Sequence, residues 1–116
     1  MAISNPLDAL RNLEQLYERG FRDSITDVAL LRLTSSQAAR DEVVLRDLER
    51  DLSELEQQYE MSSEEFFQRW QAGEMADTAD FMDWNALYQM AREVRERLDL
   101  LRGEVEGGQI HVVEPV

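Results

Sequence analysis

Asp77, Asp80 and Asp83 follow one another at intervals of three, a spacing that gathers side chains on one helical face. Three carboxylates so placed suggest a cation site. They lack the ligand spacing of a calcium loop, and no turn glycine lies among them. The simpler reading is that they serve the positive end of a helix dipole. His111 is the sole histidine and there is no cysteine. That leaves no thiolate zinc site and no Cys nucleophile, and any Ser/His/Asp set would have to be built around one tail residue. No E-x-x-H pair offers di-iron ligands, and no glycine-rich loop cradles phosphate. Paired carboxylates do general acid–base work only in a cleft that raises one pKa. The expectation is a chain that is not an enzyme, with no catalytic residue, no metal and no cofactor.

The remaining chemistry is recognition. Between residues 61 and 84 the chain reads MSSEEFFQRWQAGEMADTADFMDW, which holds five of its nine aromatic residues and six carboxylates. Phe66, Phe67 and Trp70 share one helical face, as do Phe81, Trp84 and Tyr88. Rings at helical spacing make a core where two helices meet, and Trp and Tyr also anchor protein interfaces. Phe66, Trp70 and Phe81 are expected to fill the internal corner. Phe67, Trp84 and Tyr88 are expected to reach a partner, with Trp70 also counted among the contacts. Glu64, Asp77, Asp80 and Asp83 would form an acidic rim that steers a basic protein.

Helices must position these groups. Asn5 before Pro6 is an N-cap followed by a first-turn proline, and Gly20 closes a short first helix over about 6–19. No breaker interrupts a second helix over about 24–59. Leu31, Ala38, Leu45, Leu52 and Tyr59 recur every seven residues, with Thr34, Asp41, Leu48 and Leu55 at the second seam position. This heptad predicts an antiparallel hairpin or a dimeric coiled coil. Leu31, Ala38, Leu45, Leu48, Leu52 and Leu55 are the candidate oligomer seam. Ser62 and Glu65 form a capping box, Met61 and Phe66 a hydrophobic staple, and Gly73 a stop, marking a short third helix. A fourth runs over about 78–102 on the stripe Phe81, Trp84, Leu87/Tyr88, Ala91, Val94, Leu98 and Leu101. The fold class is all-α: four helices, the second packed antiparallel to the fourth. Residues 1–103 form one helical domain, followed by a flexible tail at 104–116. The fourth helix is too short to cover all of the second, so the first helix or a second copy of the chain must cover the rest. In the tail, Ile110 and Val112 flank His111 after Gly107–Gly108. They would either add a strand to a partner's sheet edge or end the chain without further role.

Bulk properties agree with a protein-binding role. The 116 residues carry a net charge of −13, with 25 acidic residues against 12 arginines and no lysine. Such a field repels nucleic acid and anionic lipid and favours basic proteins. The longest apolar run, Val28–Leu31, is too short to span a bilayer. MAISNPLDALRN has no signal-peptide pattern. With the missing cysteines, this predicts a cytoplasmic protein.

The string M-S-S-E-E-F-F-x-x-W-x-x-G-E followed by D-x-x-D-F-x-x-W-x-x-L-Y-x-M, with A-R-D-E at 39–42 leading into the Leu-rich heptad, resembles small acidic helical antitoxins of prokaryotic type II toxin–antitoxin modules. The resemblance covers residues 6–101 and not the tail. It implies an antitoxin that binds a basic, RNase-like toxin and holds it inactive. Many antitoxins also carry a DNA-binding domain, but this chain shows no basic recognition helix and its charge opposes direct DNA binding. The second reading is a homodimeric coiled-coil adaptor or scaffold with no toxin partner. The expectation is a homo-oligomer, with a dimer favoured: the adaptor reading requires one, and an antitoxin could also dimerise through the second helix.

Overall fold

Asn5 and Pro6 open the first helix as predicted. In the computed structural model, which describes residues 5–103, Asn5 Oδ1 accepts the Asp8 N–H at 3.0 Å. Pro6 sits in the first turn, where a missing N–H costs nothing. This helix, α1, covers Pro6–Glu18. It closes on Gly20 at φ 89°, a left-handed backbone that favours glycine, and the Phe21 N–H donates to the Leu16 carbonyl at 2.9 Å. Helix α2 covers Ser24–Tyr59. Its cap, unforeseen from sequence, is Asp23, which accepts the Thr26 N–H at 2.8 Å and the Thr26 hydroxyl at 2.9 Å.

Helix α3 covers Ser63–Gln71 and α4 covers Ala79–Arg102. Ser62 Oγ accepts the Glu65 N–H at 3.1 Å, but only half of the expected capping box forms. The Glu65 carboxylate turns forward to Arg69 at 2.8 Å. Glu56, from the last turns of α2, instead accepts the Ser63 N–H at 2.9 Å. A carboxylate from a neighbouring helix thus satisfies a donor that the helix start leaves open. Thr78 caps α4 by accepting the Phe81 N–H at 3.2 Å. Among the described residues there are four helices and no strand. Among the described residues no helix is long and apolar enough to cross a membrane. Ile110 and Val112, the tail residues expected to reach a partner, and His111, the sole histidine, lie outside the described residues.

The chain divides into two compact units between Thr34 and Ser35, within α2. In the N-terminal unit, α1 and the start of α2 are tied by the Tyr17 hydroxyl, which donates to Asp27 at 2.6 Å, and by Arg22, which reaches Asp27 at 3.2 Å.

In the C-terminal unit, α2 packs antiparallel to α4. Paired residues run in opposite senses along the two helices: Glu42 with Arg102, Asp41 with Arg97, Glu49 with Arg95, and Tyr59 with Asp80. Leu48 and Leu52 meet Ala91, Val94 and Leu98 in one buried cluster that continues into Phe66 and Trp84. Asp41, a polar residue on the seam, is 3% exposed. Its oxygens accept from Arg97 at 2.8 and 3.2 Å and from Gln37 at 3.3 Å. The Arg97 bonds hold the Asp41 carboxyl below the usual carboxylate range, although burial pushes it the other way.

This geometry revises the oligomer seam. Leu48 and Leu52 are buried within one chain, and Ala38, Leu45 and Leu55 pack against the same core. Leu48 and Leu52, enclosed by α4, have almost no apolar surface left to give a partner chain, whereas Ala38, Leu45 and Leu55 keep part of theirs. Leu31, in the other unit, is 67% exposed.

Candidate protein-binding surface

Trp84 is fully buried, not a partner-reaching ring. Its heptad stripe is shared with Ala91 and Leu98, both buried against α2. It stacks on Phe66 with ring centroids 4.1 Å apart and planes 4° apart, and its Nε1–H donates to the buried Ser63 Oγ at 2.9 Å. That bond gives the indole the polar partner it needs inside a core. Tyr59 and Phe81 pack around this pair, and Trp70 leans on Phe66 at 5.8 Å. Phe66, Phe81 and Trp70 thus take the internal corner. Half-buried Trp70 belongs to the edge of that core and has no place in the second ring group.

The second ring group lies apart. Phe67 on α3 and Tyr88 on α4 meet with centroids 4.8 Å apart. The Arg92 guanidinium lies 5.4 Å from the Phe67 ring and 5.8 Å from Tyr88, within cation–π range. Both rings are half-buried, so each keeps apolar surface in water. Tyr88 also borders a cleft of about 380 Å³ where α2, α3 and α4 meet, with Glu49, Glu56 and Glu64 on its walls. Arg95 is the cation there and pairs with Glu49 at 2.9 Å. Glu56 is engaged by the Ser63 N–H. Glu64 is exposed and has no hydrogen-bond or ion-pair partner among the described residues.

The predicted contacts Phe67, Tyr88 and Glu64 are therefore brought together. The three aspartates are placed elsewhere. Asp77 precedes the Thr78 cap, so it stands outside the helix. Asp80 accepts the Tyr59 hydroxyl at 2.5 Å, and that bond raises the Tyr59 pKa above its usual value. Asp80 and Asp83 border a smaller cleft of about 210 Å³ with Asp51 and Glu54. Among the described residues no group of three or more His, Cys, Asp or Glu side chains is arranged to hold a metal ion.

Four members of the surface were missed in the sequence: Glu49, Glu56, Arg92 and Arg95, the last seven residues after Tyr88 on the same helix face. Each had a signal. Glu49 and Glu56 are seven residues apart beside the leucine seam, where charged residues flank a helix pair. Arg92 is four residues after Tyr88 and so stands over it on the helix. Chemically, the surface can take a cationic side chain among carboxylates while its aliphatic stem lies on a ring. Comparison with protein-family models, with curated proteins and with solved structures finds no match.

Proposed function

We propose that the chain is a protein-binding module that captures a basic protein, acting as an antitoxin that occludes an RNase-like toxin. The observation that carries this reading is the junction at Tyr88. This residue joins an apolar ring pair, Phe67–Tyr88, to a cleft walled by three glutamates. Rings supply the desolvated anchor of an interface, and surrounding carboxylates supply orientation and speed of encounter. Residues 35–103 carry 17 carboxylates and 8 arginines, a field that draws in a cationic surface and repels nucleic acid. A nuclease that binds RNA presents such a surface, and the glutamates stand where its phosphates would. The resemblance of the MSSEEFF and DFMDW segments to antitoxins supports the choice of a toxin as the partner.

Co-expression with the protein encoded by the neighbouring open reading frame tests the proposal. The neighbour is expected to arrest growth alone, to be tolerated when this chain is present, and to co-purify with it. A harmless neighbour, or one that does not co-purify, sinks the toxin reading.

A further inference from the structure

No residue among 5–34 is buried. The same stretch holds eight of the thirteen large apolar side chains that are exposed among the described residues, including Ile25 at 81%, Leu31 and Leu33 at 67% and Phe21 at 62%. Ile25, Val28 and Leu31 recur every three residues and so lie along one face of α2, with Leu33 turned away from it. An apolar helix face left in water is stabilised when another helix packs on it. Two grooves lie on this unit, one of about 520 Å³ beside Ile25, Val28 and Ala29 and one of about 340 Å³ beside Leu16 and Phe21.

Charge selects the occupant. Residues 5–34 carry five carboxylates and four arginines, a net −1, whereas residues 35–103 carry a net −9. Two copies of so acidic a chain repel each other everywhere except where the charge is nearly balanced and the surface apolar. Area agrees. Eight half-exposed side chains, each offering on the order of 100 Å², present about 800 Å² per chain, the share one partner gives to a stable interface of standard size.

We infer that residues 5–34 form a self-association surface on which the same unit of a second copy docks. α1 and the start of α2 from both chains then enclose the side chains that one chain leaves in water. A two-fold arrangement is the common closed solution for identical chains and uses the same patch twice. The inference is independent of the toxin reading, because it concerns the isolated chain.

Sedimentation of the full chain tests it. Wild type is expected to be a dimer over about 1–100 μM, the range in which interfaces of this size are populated. The Ile25→Glu/Leu31→Glu chain is expected to sediment as a monomer, with dimerisation weakened at least about tenfold. Its near-ultraviolet circular dichroism from the buried Trp84 is expected to be retained. Ile25→Gln/Leu31→Gln repeats the test without added charge, should the glutamates disturb folding. Met82→Glu, an exposed apolar position in the other unit, is expected to leave the dimer intact. Added salt is expected to preserve or strengthen the dimer, because it screens the repulsion between acidic units. A wild-type monomer across the range, a dimer that survives both double substitutions, or a dimer that salt dissociates would each overturn the inference.

Discussion

Trp84 and Phe66 lie face to face, 4.1 Å between centroids and 4° between planes, each fully removed from water. They come from different helices, so the stack holds α3 onto α4, and Tyr59 of α2 stacks on Trp84 at 5.7 Å. Trp84→Ala removes the largest buried ring and leaves a cavity. It is expected to destabilise the chain by about 3–5 kcal/mol. Trp84→Phe keeps a ring but leaves the buried Ser63 hydroxyl without its indole donor, at about 1–3 kcal/mol. Urea denaturation followed by circular dichroism measures both. If Trp84→Ala keeps wild-type stability, the ring is not the corner's core.

The two tryptophans also differ in their access to water. Trp84 is buried and Trp70 only half-buried. Acrylamide quenching of Trp70→Phe, which retains Trp84, is expected to be clearly weaker than that of Trp84→Phe, which retains Trp70. Equal quenching of both chains would contradict the packing.

These rings show how much was legible in the sequence. Helix count and ends were, because Asn5–Pro6, Ser62 and Thr78 act through bonds to residues three positions on, and Gly20, Gly73 and Gly103 all adopt positive φ. Such signals are local. The allocation of rings was only half legible. Phe66 and Phe67 are adjacent and equally apolar, and which one turns inward depends on where α4 lies. Trp84 was misplaced although its heptad relation to Ala91 and Leu98 was available, because its burial depends on a polar partner, Ser63, that lies 21 residues away. The leucine seam was correctly periodic, but periodicity does not say whether the opposing helix belongs to the same chain.

Asp41 and Arg97 give a pH-dependent test. The folded-state pKa of Asp41 is depressed, chiefly by its bonds to Arg97. The stabilisation it supplies is therefore fully present above the unfolded-state pKa of about 3.9 and is lost as pH falls through the lower folded value. Asp41→Asn is expected to lower Tm by several degrees at pH 7. The gap between wild type and variant is expected to narrow steadily below about pH 4, where wild type loses the same charge. A gap that stays constant down to pH 2.5 would show that the carboxylate charge is not what matters.

Tyr17 gives the corresponding alkaline test. Its hydrogen bond to Asp27 pushes its pKa up to about 12. Because the folded pKa is raised, the stabilisation is fully present below about pH 10, the unfolded value, and fades as pH rises through about 12. Asp27→Asn removes the neighbouring negative charge, and the Tyr17 titration is expected to move back towards about 10. Ultraviolet titration of phenolate absorbance, with Tyr17→Phe to assign the step, measures the shift. An unchanged titration in Asp27→Asn would remove Asp27 as the cause.

Partner capture separates anchors from rim. Phe67 and Tyr88 are only partly buried, so Phe67→Ala and Tyr88→Ala are expected to preserve the helical circular dichroism spectrum. Each is expected to weaken binding to the co-purifying partner by about 10–30-fold, the loss that follows when an interface anchor is truncated. The loss should fall mainly on the dissociation rate, because buried contacts set residence time. Among the described residues Glu64 has no hydrogen-bond or ion-pair partner to lose, so Glu64→Arg reverses one steering charge and costs the fold only the dipole contribution of a first-turn carboxylate, about 1 kcal/mol. Its effect is expected on the association rate, several-fold at low salt and shrinking as ionic strength rises. Surface plasmon resonance at two salt concentrations distinguishes the two classes. A Glu64→Arg effect that is insensitive to salt, or ring substitutions that leave dissociation unchanged, would place the partner elsewhere on the chain.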